Sequence, residues 1–243
     1  MVRRAALAAT VMVLAACGAR QGGVATLAPD ELYASGTAAF EARKWGRAIE
    51  RLEPFANANL GDPRVPKARM MLAEAHMARR EYITAAAEYQ RVAADFPADP
   101  LAQTARFGVC EAYYRLSPKP PLDQEYTYAA LAHCNSVAAM FPGTTEATQA
   151  AAFAAEMQEK LARKLYDNGD FYFRRRAYDA AVIYFEDVLA QYATTRVAPL
   201  ALMRLYESYT RIGYKEEAQE ARERLLRDYP ESPEARALPP PQG

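Results

Sequence analysis

Five residues between Tyr178 and Tyr192 constrain this chain more than any other feature. Tyr178, Ala181, Phe185, Val188 and Tyr192 follow one another at steps of three, four, three and four. That spacing puts all five on one stripe of an α-helix. The register recurs upstream as Tyr82, Ala85, Tyr89, Val92, Phe96, and again as Thr127, Ala130, Cys134, Val137, Phe141. In both copies a proline follows at once, Pro97 and Pro142, where it stops the helix. A shorter copy runs Trp45, Ala48, Leu52, Phe55, and the last reads Lys215, Ala218, Arg222, Leu225, Tyr229, Pro230.

A second set of small residues lies nine positions before each copy: Gly36, Ala73 and Gly169, with Cys110 in the third copy if an eight-residue insertion follows it. The last copy departs with Tyr206. Three places further on stand Ala39, His76, Tyr113, Tyr172 and Tyr209. A small-then-bulky first helix is thus paired with a bulky-alanine-bulky second helix. The copies start at 45, 82, 127, 178 and 215, so their separations are 37, 45, 51 and 37 residues. This is a helix-hairpin repeat of the tetratricopeptide kind with two insertions. Alanine alone would match in any alanine-rich helical chain; the aromatic-proline endings and the paired small residues carry the inference. The expected fold is all-α, a tetratricopeptide-like superhelical solenoid of five hairpins and about ten helices.

Composition agrees. The chain has 243 residues, 51% of them hydrophobic, and its 30 basic side chains balance 30 acidic ones. Neutrality gives no support to a nucleic-acid partner, which calls for a basic face. Eleven glycines are too few for a chain of many tight turns, and strand-like alternation is absent.

Residues 1–16 stand apart from that repeat. Arg3 and Arg4 precede a short apolar run, Ala5 to Leu14, that is too short to span a bilayer. It ends Leu14-Ala15-Ala16-Cys17, a small-residue cleavage site with cysteine first in the mature chain. This resembles a bacterial lipoprotein signal, in which Cys17 receives a diacylglyceryl thioether and becomes the acylated N-terminus. A plain secretory signal with an incidental cysteine is the alternative, but charge, apolar run and cleavage site agree on lipidation. Gly18, in place of an aspartate, permits export to the outer membrane by the same resemblance, and several acyl chains make a stable anchor. Residues 17–28 read as a lipidated flexible tether, 29–143 as repeats one to three, and 144–236 as repeats four and five with a long connecting helix. Residues 237–243 have nothing to pack and read as a disordered tail. Three prolines in 117–124 predict a rigid loop inside the third repeat. The run from Thr144 to Leu165 predicts continuous helix.

Chemistry has little to stand on. No serine, cysteine or carboxylate pair sits in a recognisable catalytic motif, no phosphate-binding glycine loop is present, and no spacing suggests a metal site. The expectation is a non-enzyme with no cofactor beyond the covalent lipid. His76 falls at a packing position occupied by tyrosine in three other copies. Cys110 and Cys134 face one core from neighbouring helices; they could bridge in an oxidising compartment, though free buried thiols are the commoner outcome for such helical cores.

Binding is what repeats support, since stacked hairpins expose a concave face lined by first helices. On the two N-terminal repeats that face is expected to carry Tyr33, Phe40, Met70 and Met77, with Arg43, Lys44, Arg79 and Arg80 at the helix ends. These cations suit the helix dipole, or form a rim that takes a peptide's terminal carboxylate. Arg174, Arg175 and Arg176 offer a second cationic site for an acidic partner surface.

The order of features is similar to one family in particular. The lipoprotein signal, the five repeats, the run Leu122-Asp123-Gln124-Glu125-Tyr126-Thr127, the stretch Phe171-Tyr172-Phe173-Arg174-Arg175-Arg176-Ala177-Tyr178, and Tyr209-Thr210-Arg211-Ile212-Gly213 together resemble the BamD family. That resemblance implies a lipid-anchored scaffold on the periplasmic side of the outer membrane, within the machine that inserts β-barrels. It implies docking of C-terminal repeats on BamA-like POTRA domains, contact with other assembly-machine lipoproteins, and N-terminal recognition of unfolded β-barrel proteins. The fourth repeat departs from the pattern, with Ala193 in place of the closing proline. A periplasmic repeat lipoprotein of the Tol-Pal-associated type is the alternative; such proteins carry an N-terminal coiled coil, and no sustained heptads precede the first repeat here.

Overall fold

The computed structural model describes residues 27–239, so Cys17, the signal and most of the tether lie outside the described residues. Ten helices form five hairpins: α1 (Pro29–Glu41) with α2 (Trp45–Ala58), α3 (Val65–Ala78) with α4 (Tyr82–Asp95), α5 (Leu101–Leu116) with α6 (Glu125–Met140), α7 (Thr145–Arg174) with α8 (Tyr178–Gln191), and α9 (Ala198–Ile212) with α10 (Lys215–Asp228). A single turn, α11 (Pro233–Arg236), follows, and the described residues contain no strand. The fold is the expected all-α repeat.

The stripe read from the sequence is what the second helices bury. Ala48, Leu52 and Phe55, then Ala85 and Val92, then Ala181, Phe185 and Val188 are all fully enclosed. On α10 Ala218 and Leu225 keep their places on the stripe, and only the middle position differs. Ala221 is buried, whereas Arg222 stays near the surface and donates to the Pro239 carbonyl at 2.6 Å. In the last four copies the closing aromatic, Phe96, Phe141, Tyr192 or Tyr229, is the residue at which the helix ends, with φ between −126° and −136°. Proline disfavours helical backbone at the residue before it. Yet Tyr192, followed by Ala193, takes the same conformation (φ −136°, ψ 38°). A following proline is therefore not required to end the helix there.

Each helix packs on its neighbours in sequence, and each first helix also touches the next first helix: α1 on α3, α3 on α5, α5 on α7, α7 on α9. No pair of second helices meets to a comparable extent. Hence first helices crowd the inner face of the stack, and second helices splay apart on the outer face.

The small positions admit close crossings. A Cβ on Gly36 would come within 2.7 Å of the Leu52 side chain, and one on Gly169 within 2.6 Å of the Phe185 ring. Gly108 does the same between repeats, against Tyr89 at 2.7 Å, a contact the repeat template did not indicate. Gly169→Leu is expected to lower stability by about 1–3 kcal/mol through overpacking. Chemical denaturation would check it, and an unchanged midpoint would place Gly169 away from any tight crossing.

Helix α7 runs unbroken for 30 residues and is capped by the Thr144 hydroxyl, which accepts from the Ala147 N–H at 3.1 Å. Ala150 and Ala154 join the third-repeat core, while Leu161, Ala162 and Tyr166 join the last one. One helix therefore belongs to two cores. The loop 117–124 owes its order to more than proline. The Gln124 amide, 3% exposed, donates to the carbonyls of Lys119 and Leu122, both at 2.9 Å, while its oxygen accepts from the Thr127 hydroxyl at 2.7 Å. From α7, Lys160 donates to the Ser117 hydroxyl and Lys164 to the Leu122 carbonyl, each at 2.7 Å. Burial pushes the Lys160 ammonium below the usual lysine range, opposed by the charge of Glu156.

One expectation here needs correcting. Cys110 and Cys134 do not stay as free thiols; they form a disulfide between α5 and α6, with Cα atoms 4.9 Å apart. Antiparallel neighbours whose core stripes face each other bring two Cβ atoms to bonding range. His76, expected at a packing position, is largely enclosed there, its side chain 12% exposed, and its Nδ1 lies 2.7 Å from a Glu81 carboxylate oxygen, tying the end of α3 to the start of α4.

Candidate partner-binding surfaces

The candidate N-terminal residues divide by what they already touch. Met70 is 5% exposed and belongs to the second-repeat core with Ala73, Tyr89 and Val109, which leaves it no surface to offer. Tyr33 packs on Phe55, ring centroids 5.1 Å apart, beneath the Arg64 guanidinium at 5.0 Å. Arg64, which sequence reasoning passed over, also pairs with Asp30 at 2.8 Å and Asp62 at 2.6 Å. Its hydrogen bonds hold the Asp62 carboxyl down at about 2. Tyr33 and Arg64 thus act together to seal the first repeat.

Phe40, Met77, Arg79 and Arg80 remain at or near the surface. Phe40 meets Trp45 edge to face at 5.4 Å. A guanidinium nitrogen of Arg79 lies 3.1 Å from where a Cβ on Gly46 would stand, so the α3–α4 turn reaches over the start of α2. An aromatic pair and a cation therefore lie near one another at the α1–α2 turn. Arg79 also pairs with Glu81 at 2.8 Å, so its charge is partly balanced. Trp45 is the residue missed as a surface candidate; its place as the first of a core stripe concealed it.

The arginines have a backbone role too. Arg43, Arg80 and Arg176 take φ of 56°, 63° and 62°, the left-handed region that Gly213 occupies in the fifth repeat with φ 99°. In the first repeat the Lys44 N–H reaches the Ala39 carbonyl at 2.9 Å and the Arg43 N–H reaches Phe40 at 2.8 Å. The same pair of bonds recurs from Glu81 and Arg80, and from Ala177 and Arg176. This is a helix stop in which glycine is usual, so these turns impose strain on a side-chain-bearing residue.

The second cationic set is likewise partly engaged. Arg174 pairs with Asp170 at 3.2 Å, and Arg175 lies 4.4 Å over the exposed Phe171 ring. Asp170 also binds Arg204, which stacks on Phe173 at 4.6 Å. All three arginines, Arg174 to Arg176, occupy one turn, with Arg174 71% exposed. They make a compact cationic edge with an aromatic beside it.

Among the described residues, no group of three or more histidine, cysteine or acidic side chains could hold a metal ion. None of the described helices is long and apolar enough to cross a membrane.

Over 188 residues the chain is 28% identical to the outer membrane protein assembly factor BamD of Caulobacter vibrioides, covering 77% of this chain and 62% of that protein's length. It is 27% identical over 222 residues to the outer membrane protein assembly factor BamD of Rickettsia prowazekii, covering 91% of this chain and 88% of that one. A tetratricopeptide repeat protein from Parabacteroides merdae superposes with a TM-score of 0.38 at 16% identity, over 84% of this chain and 68% of that one. The YfiO model, described as an outer membrane lipoprotein, matches residues 26–225, and the chain therefore belongs to the YfiO family of outer membrane lipoproteins.

Proposed function

We propose that this chain is a scaffold for assembling β-barrel proteins into the outer membrane, anchored there by lipid on Cys17. Both BamD relatives support assembly as the task, and the repeat architecture supports binding rather than chemistry. In this reading the C-terminal repeats dock on BamA-like POTRA domains, using the Arg174–Arg176 edge, and the N-terminal repeats receive unfolded barrel clients.

The observation that carries the client site is the corner where Phe40, Trp45 and Arg79 come together. A client ending in an aromatic residue with a free carboxylate could lay its ring on Phe40 and Met77 while its charge meets Arg79 and Arg80. Burying one ring is worth about 1.5–3 kcal/mol, and a charge pair at an exposed site adds about 0.2–1 kcal/mol. Binding of that strength is weak and reversible, as handing a client onward requires.

The test is titration of the full chain, in detergent, with a peptide ending in phenylalanine carboxylate and with its C-terminal amide. The free acid is expected to bind more tightly. Phe40→Ala should weaken both, and the double change Arg79→Ala, Arg80→Ala should remove the difference between them. Equal binding of both peptides by all three proteins would exclude this corner as the client site.

A further inference from the structure

Consecutive helices of a hairpin repeat run antiparallel, so the turns inside hairpins fall along one edge of the stack and the turns between hairpins along the other. The two edges differ in charge. Residues 42–44, 79–81, 117–124, 175–177 and 213–214, which join the helices of each hairpin, carry seven cations and two acids. Residues 59–64, 96–100, 141–144, 192–197 and 229–232, on the opposite edge, carry two cations and three acids. Helix dipoles do not call for that difference, because each edge holds the C-termini of one set of helices and the N-termini of the other.

The first two turns of the cationic edge are neighbours, since Arg79 reaches over Gly46 on α2. Among the described residues Arg43, Lys44 and Arg80 form no ion pair. The acids beside them are Glu41 and Glu81, and Glu81 is taken by His76 and Arg79 at 2.7 and 2.8 Å. Arg43 and Arg80 hold left-handed backbone, φ 56° and 63°, where the fifth hairpin uses Gly213. Glycine costs less in that conformation, and the turn itself gains nothing from the charge. Apolar side chains stand among these cations. Trp45 and Tyr82, both half-buried, each open a second helix, and Ile83, 58% exposed, follows Tyr82.

Free cations interleaved with tryptophan, tyrosine and an exposed aliphatic side chain are complementary to the interface of an anionic bilayer. We infer that the edge formed by the α1–α2 and α3–α4 turns lies against an anionic lipid surface, with the opposite edge turned away. Membership of an outer membrane lipoprotein family brings such a surface close. The orientation rests on the Cys17 anchor of the proposed function. Gly18 to Leu27 is ten residues, a reach of at most about 33–36 Å, whereas the 13 residues of α1 rise about 20 Å. The tether is therefore long enough for Cys17 to sit level with the far end of α1, where the cations are. At the near end stand Asp30, Glu31 and Asp62, with Arg64 already paired to two of them, a poorer match to anionic lipid.

Trp45 is the only tryptophan in the chain and reports on this edge directly. The full chain would be reconstituted into phosphatidylcholine vesicles with and without phosphatidylglycerol, each carrying a lipid with a nitroxide headgroup. Quenching of Trp45 is expected to be stronger with phosphatidylglycerol and to fall with added salt. The double change Arg43→Gly, Lys44→Gln spares Phe40, Arg79 and Arg80 of the client corner and eases the left-handed turn, so it should fold as the parent does. It should lower the ratio of lipid-apposed to free edge about 25-fold, at about fivefold for each cation near an anionic surface. Lys67→Gln, Arg196→Gln, which removes two cations at the opposite edge, should quench as the parent does. Flotation with the phosphatidylcholine vesicles reports the Cys17 anchor by itself, so the two readings fail separately. Equal quenching of the parent with and without phosphatidylglycerol would overturn the inference. So would equal quenching of the parent and Arg43→Gly, Lys44→Gln, or an equal loss in the opposite-edge variant. A blue shift of Trp45 with a polyglutamate peptide, but no response to phosphatidylglycerol, would also overturn it, by making an acidic protein segment the occupant.

Discussion

Glu88→Ala is expected to destabilise the protein by about 3–5 kcal/mol, the cost of leaving a buried charge without its partner. Glu88 on α4 accepts from Arg69 on α3 at 2.8 Å, and the two side chains are 8% and 5% exposed. Arg69 retains only distant contacts, to the Ala56 carbonyl and the Asn57 side chain at 3.3 Å each, and its Nε has no partner. Without the carboxylate the guanidinium has no way to be solvated short of opening the hairpin. The double change Arg69→Met, Glu88→Leu should recover most of the loss, because a buried pair replaced by apolar groups of similar size is often neutral or better. Urea denaturation of the three proteins, followed by helical circular dichroism, separates the outcomes. Equal loss in the single and double variants would mean that the pair itself, not the orphaned charge, supplies the stability.

Reduction of the Cys110–Cys134 disulfide is the second large effect. The bond closes a loop of 24 residues. A loop of that length, left open, enlarges the unfolded ensemble by an amount worth about 3.5 kcal/mol on the chain-entropy account. For a chain of this size each kcal/mol moves the thermal midpoint by about 2–4 °C, so reductant should lower it by roughly 10 °C. Repeat proteins unfold in part by neighbouring units, so the loss should concentrate in the third hairpin, read as faster amide exchange in α5 and α6. The double variant Cys110→Ala, Cys134→Ala should melt near the reduced parent and not respond to reductant. A parent whose midpoint ignores reductant, with the bond shown by mass to be broken, would remove the disulfide from the stability of this fold.

Why the third hairpin was only half legible is clear from these residues. Cys110 and Cys134 were both placed on core-facing stripes, which a single periodicity is enough to establish. Whether two sulfurs meet depends on the rotation of one helix about its axis relative to the other, and that is set by packing along the whole hairpin. Arg69 and Glu88 were passed over for a related reason. A charged residue on a helix is exposed by default, and only the closeness of a partner 19 positions away makes burial tolerable. The candidate site shows the same division. Tyr33, Phe40, Met70 and Met77 have similar apolar character in sequence, yet Met70 is sealed in a core while Phe40 stays at the surface. Side-chain type does not state which helix will cover it.

The sequence by itself determined five hairpins, the stripe each second helix buries, the close crossings at Gly36 and Gly169, the stop at Gly213 and the unbroken run into α7. All of these follow from helical periodicity, side-chain size and backbone preference, which act over a few residues. Tertiary structure alone decided the disulfide, the buried Arg69–Glu88 pair, the approach of Arg79 to the Phe40–Trp45 turn, and the left-handed turns at Arg43, Arg80 and Arg176. Each of these depends on the angle and distance between segments far apart in the chain, or on a backbone conformation that packing imposes against local preference.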